Sequence, residues 1–424
     1  LKSHTQAILP EAGSLTLDDC IALALEHNLS LRSAALDAQL AELDQDIAFA
    51  NFLPKVKASA GFSTFSEQPA SSLGGLLTTP VQDKTVREWG VDLQLPLFMP
   101  ATWHLHAMRQ QGVEISRLIE AQVRQTIALQ VTAKYYECLA LAEIEKGQVS
   151  QAQSTAALVT ELTHFKDEGL IADWELAQAN AAHLARETAV RQTRRAARQA
   201  KAELLNLMGA YPHANIQLES ASPFLPAETP VEDLLLQALR QHPRLHIADR
   251  QTAVADEDVK RAFANFLPSL SGFTALMGSS NSFAVPDVNL MGGLAGVLSV
   301  FNGFATVTQY RAAQTRADQS GLHREEEALA ILTQVLAAHH NERNAAENHE
   351  VARYAAAAAK AKQDELEARW EAGMLLASAR LEAQAETAQT ETNLANAEYQ
   401  HQLSLAMLHH ALGDTYTGRD SYDQ

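Results

Sequence analysis

Cysteine, proline and long apolar runs are scarce in this chain, and cations are outnumbered. Only Cys20 and Cys138 occur in 424 residues. Two thiols build no disulfide framework, and the one pairing open to them says little about compartment. No run reaches the roughly 18 apolar residues that a membrane-crossing helix needs. The richest stretch, Val288 to Phe301, is broken by Asn289, Gly292, Gly293, Gly296 and Ser299. A membrane role would therefore require β-strands. Lys and Arg number 33 against 51 Asp and Glu, for a formal net charge of -18. That balance argues against a nucleic-acid partner, because phosphate binding needs clustered cations. It suits a lumen that passes cations or excludes anions. Leu1 opens no signal-peptide pattern, so an exported protein would appear here in its mature form. No nucleophile motif, phosphate loop or H-E-x-x-H occurs. The expectation is a protein without enzyme activity, cofactor or metal.

What the chain does hold is a tandem duplication. Ala48-Phe49-Ala50-Asn51-Phe52-Leu53-Pro54 returns as Ala262-Phe263-Ala264-Asn265-Phe266-Leu267-Pro268. The same ungapped offset carries Asp18-Asp19 onto Glu232-Asp233, Ala24-Leu25 onto Ala238-Leu239, and Leu31 onto Leu245. A shorter offset then relates Gly169 to Gly373, and Leu204 through Gly209 to Leu408 through Gly413. Two large repeats are too few for a solenoid and point to pseudo-twofold architecture within one protomer, 1–214 and 215–424.

Proline placement divides each half. All 13 prolines lie at or before Pro286, with none from Ala101 to Tyr211 and none from Asp287 onward. Such blank regions can hold very long helices. Each half reads as a short amphipathic helix (about 17–52 and 231–266), two strands with a connecting loop, a helix of about 68 residues spanning about 100 Å, and a returning helix. The strands fall at about 54–65, 86–98, 267–277 and 288–301, and the paired helices at 101–208 and 304–412. Gly169 and Gly373 mark the turns. Helices of that length need a coiled coil, a bundle or a repeat. Ile115, Ile119, Val123, Ile127, Val131 and Tyr135 recur every four residues, a stripe that wraps the helix and suits neighbours on several sides. Leu322, Leu329 and Leu336 follow the seven-residue step of a coiled-coil seam. The runs Ala337-Ala338 and Ala355 to Ala359 fit close helix approach or simply high helix propensity.

The strand from Trp89 to Leu97 sets Trp89, Val91, Leu93, Leu95 and Leu97 on one face and Glu88, Gly90, Asp92, Gln94 and Pro96 on the other. Val56, Ala58, Ala60 and Phe62 alternate with Lys55, Lys57, Ser59 and Gly61 in the same way. This is the pattern of lipid outside and water inside, although a soluble sheet with one wet face alternates too. Ser66 to Thr85 and Met277 to Asp287 read as external loops. Four strands cannot close a barrel, for which about eight is the minimum. An open edge in lipid would cost several kcal/mol per bare backbone group. A membrane protomer must therefore meet copies of itself edge to edge, giving eight, twelve or more strands.

This order of elements resembles the TolC family of outer-membrane factors over nearly the whole chain. The matching residues are Leu17 to Leu25 with Asn28, both Phe-Leu-Pro stops, Pro96-Leu97-Phe98 and Val300-Phe301-Asn302-Gly303. Arg369-Trp370-Glu371-Ala372-Gly373, Leu207-Met208-Gly209 and Ala411-Leu412-Gly413 complete the set. The resemblance implies a homotrimer in outer-membrane lipid, with a twelve-stranded barrel continued by an α-helical barrel into the periplasm of a Gram-negative bacterium. It implies a passive exit duct for efflux or type I secretion, served by a periplasmic adaptor and an inner-membrane pump. It also implies that adaptors engage the hairpin tips, here Gly169, Leu170, Arg369, Gly373 and Met374. Gate carboxylates six and nine positions beyond the tip glycine would be Glu175, Gln178, Ala379 and Glu382, of which two are acidic. Phe165 stands where the second repeat has Arg369, which breaks the symmetry of such a gate. Relatives of this kind carry a lipid on an N-terminal cysteine; with Leu1 in that place and Cys20 within a helix pattern, lipidation is not expected here.

Two other classes compete. A soluble coiled-coil scaffold explains the helices but not the strand from Trp89. A helix-bundle metalloprotein would use some of the 16 histidines. Adjacent pairs such as His339-His340 and His409-His410 diverge by about 100° on a helix and do not share an ion easily, and paired Glu-x-x-His motifs are missing.

Overall fold

The computed structural model describes residues 14–73, 77–219, 229–283, 287–372, 374 and 377–414. In chain order the elements are β1 (Ser14–Leu15), α1 (Leu17–His27), α2 (Leu29–Phe49), β2 (Lys55–Thr64), β3 (Ala70–Leu73), β4 (Leu77–Pro80) and β5 (Thr85–Phe98). Then come α3 (Pro100–Asp167), α4 (Asp173–Leu207), β6 (Gln217–Leu218), α5 (Val231–Gln241), α6 (Pro243–Ala264), β7 (Ser269–Ser279), β8 (Val288–Val297), α7 (Ala305–Glu371) and α8 (Ala377–Ala411). No helix among the described residues is long and apolar enough to cross a membrane.

The chain folds as two compact units. One comprises Leu1–Ala35, Leu118–His246 and Glu326–Gln424; the other comprises Leu36–Arg117 and Ile247–Glu325. The first unit is built almost wholly of helices. The apolar stripe of α3 enters its core from Ile127 onward, where Val131 and Tyr135 join Cys20, Leu31, Leu204, Leu205 and Met208. Tyr135 reaches the carbonyls of Leu15 (3.1 Å) and Glu219 (2.7 Å) through its hydroxyl. That anchors the short parallel pair β1–β6, which alternation alone could not reveal. Burial pushes the thiols of Cys20 and Cys138 up to about 12, which disfavours the reactive thiolate form of both.

The expected single helices at 17–52 and 231–266 are each divided. Asn28 accepts hydrogen bonds from the N–H groups of Ser30 (2.8 Å) and Leu31 (3.2 Å) and so caps α2. His242 stands at the equivalent position. Its Nδ1 accepts from Arg244 N–H at 3.2 Å, and Pro243 follows at the first helical position, where its missing N–H costs nothing. Each break is clamped by a glycine. Gly209 and Gly413 have φ of +69° and +80°, and a Cβ there would lie 2.6 Å from the His27 carbonyl oxygen and 2.7 Å from His242 Cα. The duplication thus repeats this joint, with a histidine in one copy and an asparagine in the other.

The second unit holds one antiparallel sheet in the order β2-β5-β7-β8 and one layer of helix segments. Contacts run in sequence across that layer. Arg109 meets Asp44 (3.4 Å) and Arg117 meets Glu42 (2.9 Å) between α3 and α2. His104 meets Glu257 (2.8 Å) between α3 and α6, and Arg316 meets Asp258 (2.7 Å) between α7 and α6. The order is therefore α2-α3-α6-α7, the order of the strands. The loop expected from Ser66 to Thr85 contains the β3–β4 hairpin, whose short strands carry no amphipathic signal.

Candidate functional site

In the sheet unit, register decides which side chains share a face. Val56, Leu93 and Thr274 stand in one row, as do Ala58, Val91, Leu276 and Leu290. Ala60, Trp89 and Gly278 share a face with Val288. This face is apolar across all four strands. The opposite face carries Lys55, Lys57, Glu88, Asp92 and Gln94, with Lys57 directly across from Asp92. Its second-repeat half is less polar, with Phe273, Met277 and Met291, which explains why β7 and β8 alternate poorly in sequence. Val56, Phe62, Leu290 and Leu294 are largely exposed on that face, where the polar exceptions are Thr274 and, toward the far end of the strands, Arg87 opposite Phe62 and the pair Thr64 and Thr85. Such a contiguous apolar surface is characteristic of contact with lipid or a partner.

Aromatic rings mark one end of the strands. Phe98 packs edge-on against Trp103 at 5.5 Å, and Phe301 against Phe304 at 5.4 Å. Phe304 holds a φ of 65°, a strained left-handed position for a bulky residue, beside Gly303 at 67°. Aromatic rings at this level resemble the girdle that a barrel places at a membrane interface.

The hairpin tips belong to the helical unit. At the first, Gly169 has φ +74°, and Leu170 N–H bonds the Phe165 carbonyl at 2.8 Å, which closes α3. At the second, Met374 N–H bonds the Arg369 carbonyl at 3.0 Å, the same bond one repeat later. Gly373 lies outside the described residues. Leu170, Trp174 and Met374 are each more than half exposed. Trp174 went unnoticed in the sequence, where a tryptophan just past a turn glycine was the available signal.

Beneath the tips, Leu158, Leu162 and Ala179 pack with Phe165, Leu176, Trp370 and Leu381. Phe165 fills this small core, whereas Arg369 points outward to Glu365. That difference accounts for the broken symmetry between the repeats. Arg380 ties the assembly. Its guanidinium forks onto Glu367 at 2.8 and 2.5 Å, lies 3.7 Å from Glu161, and sits 5.5 Å above the Trp370 ring. No sequence pattern marked Arg380, because its partners come from α3 and α7.

The structure places Glu175 half-buried in the first turn of α4 and Gln178 exposed one turn on; Glu382 is exposed on α8. No hydrogen bond or ion pair joins the three among the described residues. Lys362 is held above its usual range by Glu386, 2.7 Å away, with a smaller push from Glu382. Among the described residues no group of three or more His, Cys, Asp or Glu is placed to hold a metal ion.

A sheet with one apolar face, too few strands to close alone, and two long helical hairpins define a duplicated channel protomer. The family model for outer membrane efflux proteins matches residues 20–219 and 234–414. The chain belongs to that family, one of outer membrane channels. The fold is also that of several solved structures. The CmeC outer membrane channel of Campylobacter jejuni superimposes with a TM-score of 0.82 at 16% identity, over 95% of this chain and 87% of that one. The outer membrane protein VceC of Vibrio cholerae gives 0.77 at 17%, over 95% and 97%. The open-state MtrE outer membrane channel of Neisseria gonorrhoeae gives 0.73 at 19%, over 95% and 91%. No curated protein matches the chain.

Proposed function

We propose that the chain is the outer-membrane exit duct of a tripartite efflux pump or type I secretion system, passively conducting what an inner-membrane transporter and a periplasmic adaptor deliver. The observation that carries this reading is the pair of open edges. The sheet ends at β2 and β8, and the helix layer ends at α2 and α7. Both edges are made by the first and last elements, so β8 and α7 of one copy meet β2 and α2 of the next. Such a head-to-tail joint closes into a ring, and three copies give twelve strands. The free face of α2 supports the same joint. Leu36, Leu40, Leu43 and Ile47 follow the 4-3-4 spacing of a coiled-coil seam and are all more than half exposed. Leu322 is the exposed counterpart on α7.

The apolar sheet face would then meet lipid and the face with Lys57 and Asp92 would line the lumen. Leu170, Met374, Arg369 and the tip glycines Gly169 and Gly373 would receive the adaptor. Glu175, Gln178 and Glu382, each present three times, would ring the periplasmic entrance. Like charges so gathered favour bound cations. An outer-membrane pool that runs as a heat-labile oligomer is expected on fractionation; a soluble monomer without detergent would overturn the duct. Glu382→Ala is expected to lower cation selectivity in single-channel recordings. Unchanged conductance and selectivity would remove Glu382 from the entrance.

A further inference from the structure

The sheet's register slips between Pro96 and Phe98, which sets Phe98 opposite Leu270. Leu270 lies on the apolar face, two residues along from Gly272 and four from Thr274. Trp103, packed edge-on against Phe98, therefore continues that face onto the first turn of α3. There it walls a cleft of about 310 Å³ together with Phe263, Leu267, Tyr310 and Lys260. A second cleft, of about 760 Å³, adjoins it between α6 and α7 and shares Lys260 and Val259. Its charged lining is Lys260 and Arg311 on one hand, Asp256 and Asp318 on the other. Lys260 Nζ sits 2.6 Å from Glu257. Arg311, Asp256 and Asp318 make no ion pair among the described residues. The sizes fall within the range of ligand sites. Because α6 lies between α3 and α7, the groove belongs to the interior of one protomer and is not a joint between copies.

We infer that this groove binds one aminophospholipid of the periplasm-facing leaflet. Its phosphate would lie on Lys260 and Arg311, its primary amine on Asp256 and Asp318, and an acyl chain on Trp103 and Phe263. The occupant follows from the lining. Apolar aromatics on the lipid side select a chain that enters from the membrane. Two cations beside two carboxylates match a headgroup carrying both signs and serve a purely anionic one less well, and carboxylates that accept N–H hydrogen bonds favour a primary amine over a quaternary ammonium. The inference rests on the membrane-duct reading.

The test uses the full-length oligomer, delipidated in mild detergent and titrated with phosphatidylethanolamine, phosphatidylglycerol or phosphatidylcholine of matched chains, with bound lipid counted by native mass spectrometry. Phosphatidylethanolamine is expected to saturate near one per protomer, at about tenfold lower concentration than the other two, equal to about 1.4 kcal/mol. Lys260→Gln with Arg311→Gln is expected to erase that preference while the oligomer stays heat-labile and intact. Equal retention of all three lipids, a preference for phosphatidylglycerol, or an unchanged double variant would each overturn the lipid site. A chain that needs no detergent and forms no oligomer would instead overturn the duct itself.

Discussion

Replacing His242 by asparagine should remove much of the protein's sensitivity to acid. Asn28, the equivalent residue of the first repeat, caps α2 with its oxygen and donates through Nδ2 to the Leu207 carbonyl at 2.9 Å. His242 caps α6 through Nδ1, which places its proton on Nε2, and that atom is buried without a hydrogen-bond partner. Burial first, then Arg244, His410 and His246, push His242 down to about 4 from an ordinary 6.5, with Glu327 opposing. The unfolded chain therefore binds more protons than the folded one between those two values. Stability is full above pH 6.5 and falls as pH drops toward 4. The whole loss is about 3 kcal/mol per protomer, and about 2 kcal/mol is already gone at pH 5. His242→Asn should show none of it. The assay is urea unfolding of the detergent-solubilised protein, followed by far-ultraviolet circular dichroism at pH 7.5 and pH 5. The stability gap between variant and parent should widen by about 2 kcal/mol at the lower pH. His410, lowered chiefly by its own burial, leaves a residual slope in both proteins. Parallel pH dependence in the two would refute the reasoning.

Two further perturbations probe the sheet and the tips. A Cβ on Gly278 would lie 2.3 Å from the Trp89 ring nitrogen, so Gly278→Ala should lower the temperature at which the oligomer dissociates on gels, and adding Trp89→Ala should restore part of the loss. Arg380→Ala strips Glu367 of its bidentate partner at a cost of about 1–3 kcal/mol. Amide hydrogen exchange across 161–167 and 365–371 should accelerate, and Arg380→Lys should recover only part of the protection, because an ammonium cannot fork.

The duplication, the long helices and the first-repeat strands were legible because each rests on a local pattern: a repeated heptapeptide, proline-free stretches, strict alternation from Val56 and from Trp89. The divisions at Asn28 and His242 were also written locally, in a capping asparagine two residues before Ser30 and in Pro243, yet the surrounding apolar period runs on through both and masks them. β7 and β8 were harder, since Phe273, Met277 and Met291 make the second face nearly as apolar as the first. Arg380 and the β1–β6 pair were out of reach. Their meaning lies in partners far away in sequence, and a single chain read alone gives no sign of which distant residues will meet. Gly169 ends α3 with a positive φ, but glycine alone was a weak sign, since Gly112, Gly147 and Gly321 sit within unbroken helices.

The coincidence of first and last elements at both edges has a genetic consequence. Each copy offers two different surfaces, and every joint in the proposed trimer uses one of each. A subunit damaged only along β8 still presents a sound β2, so it is recruited by its neighbours and then leaves the ring unsealed. Mutant chains of that kind should poison mixed assemblies out of proportion to their abundance, whereas chains damaged on both edges should be harmless bystanders.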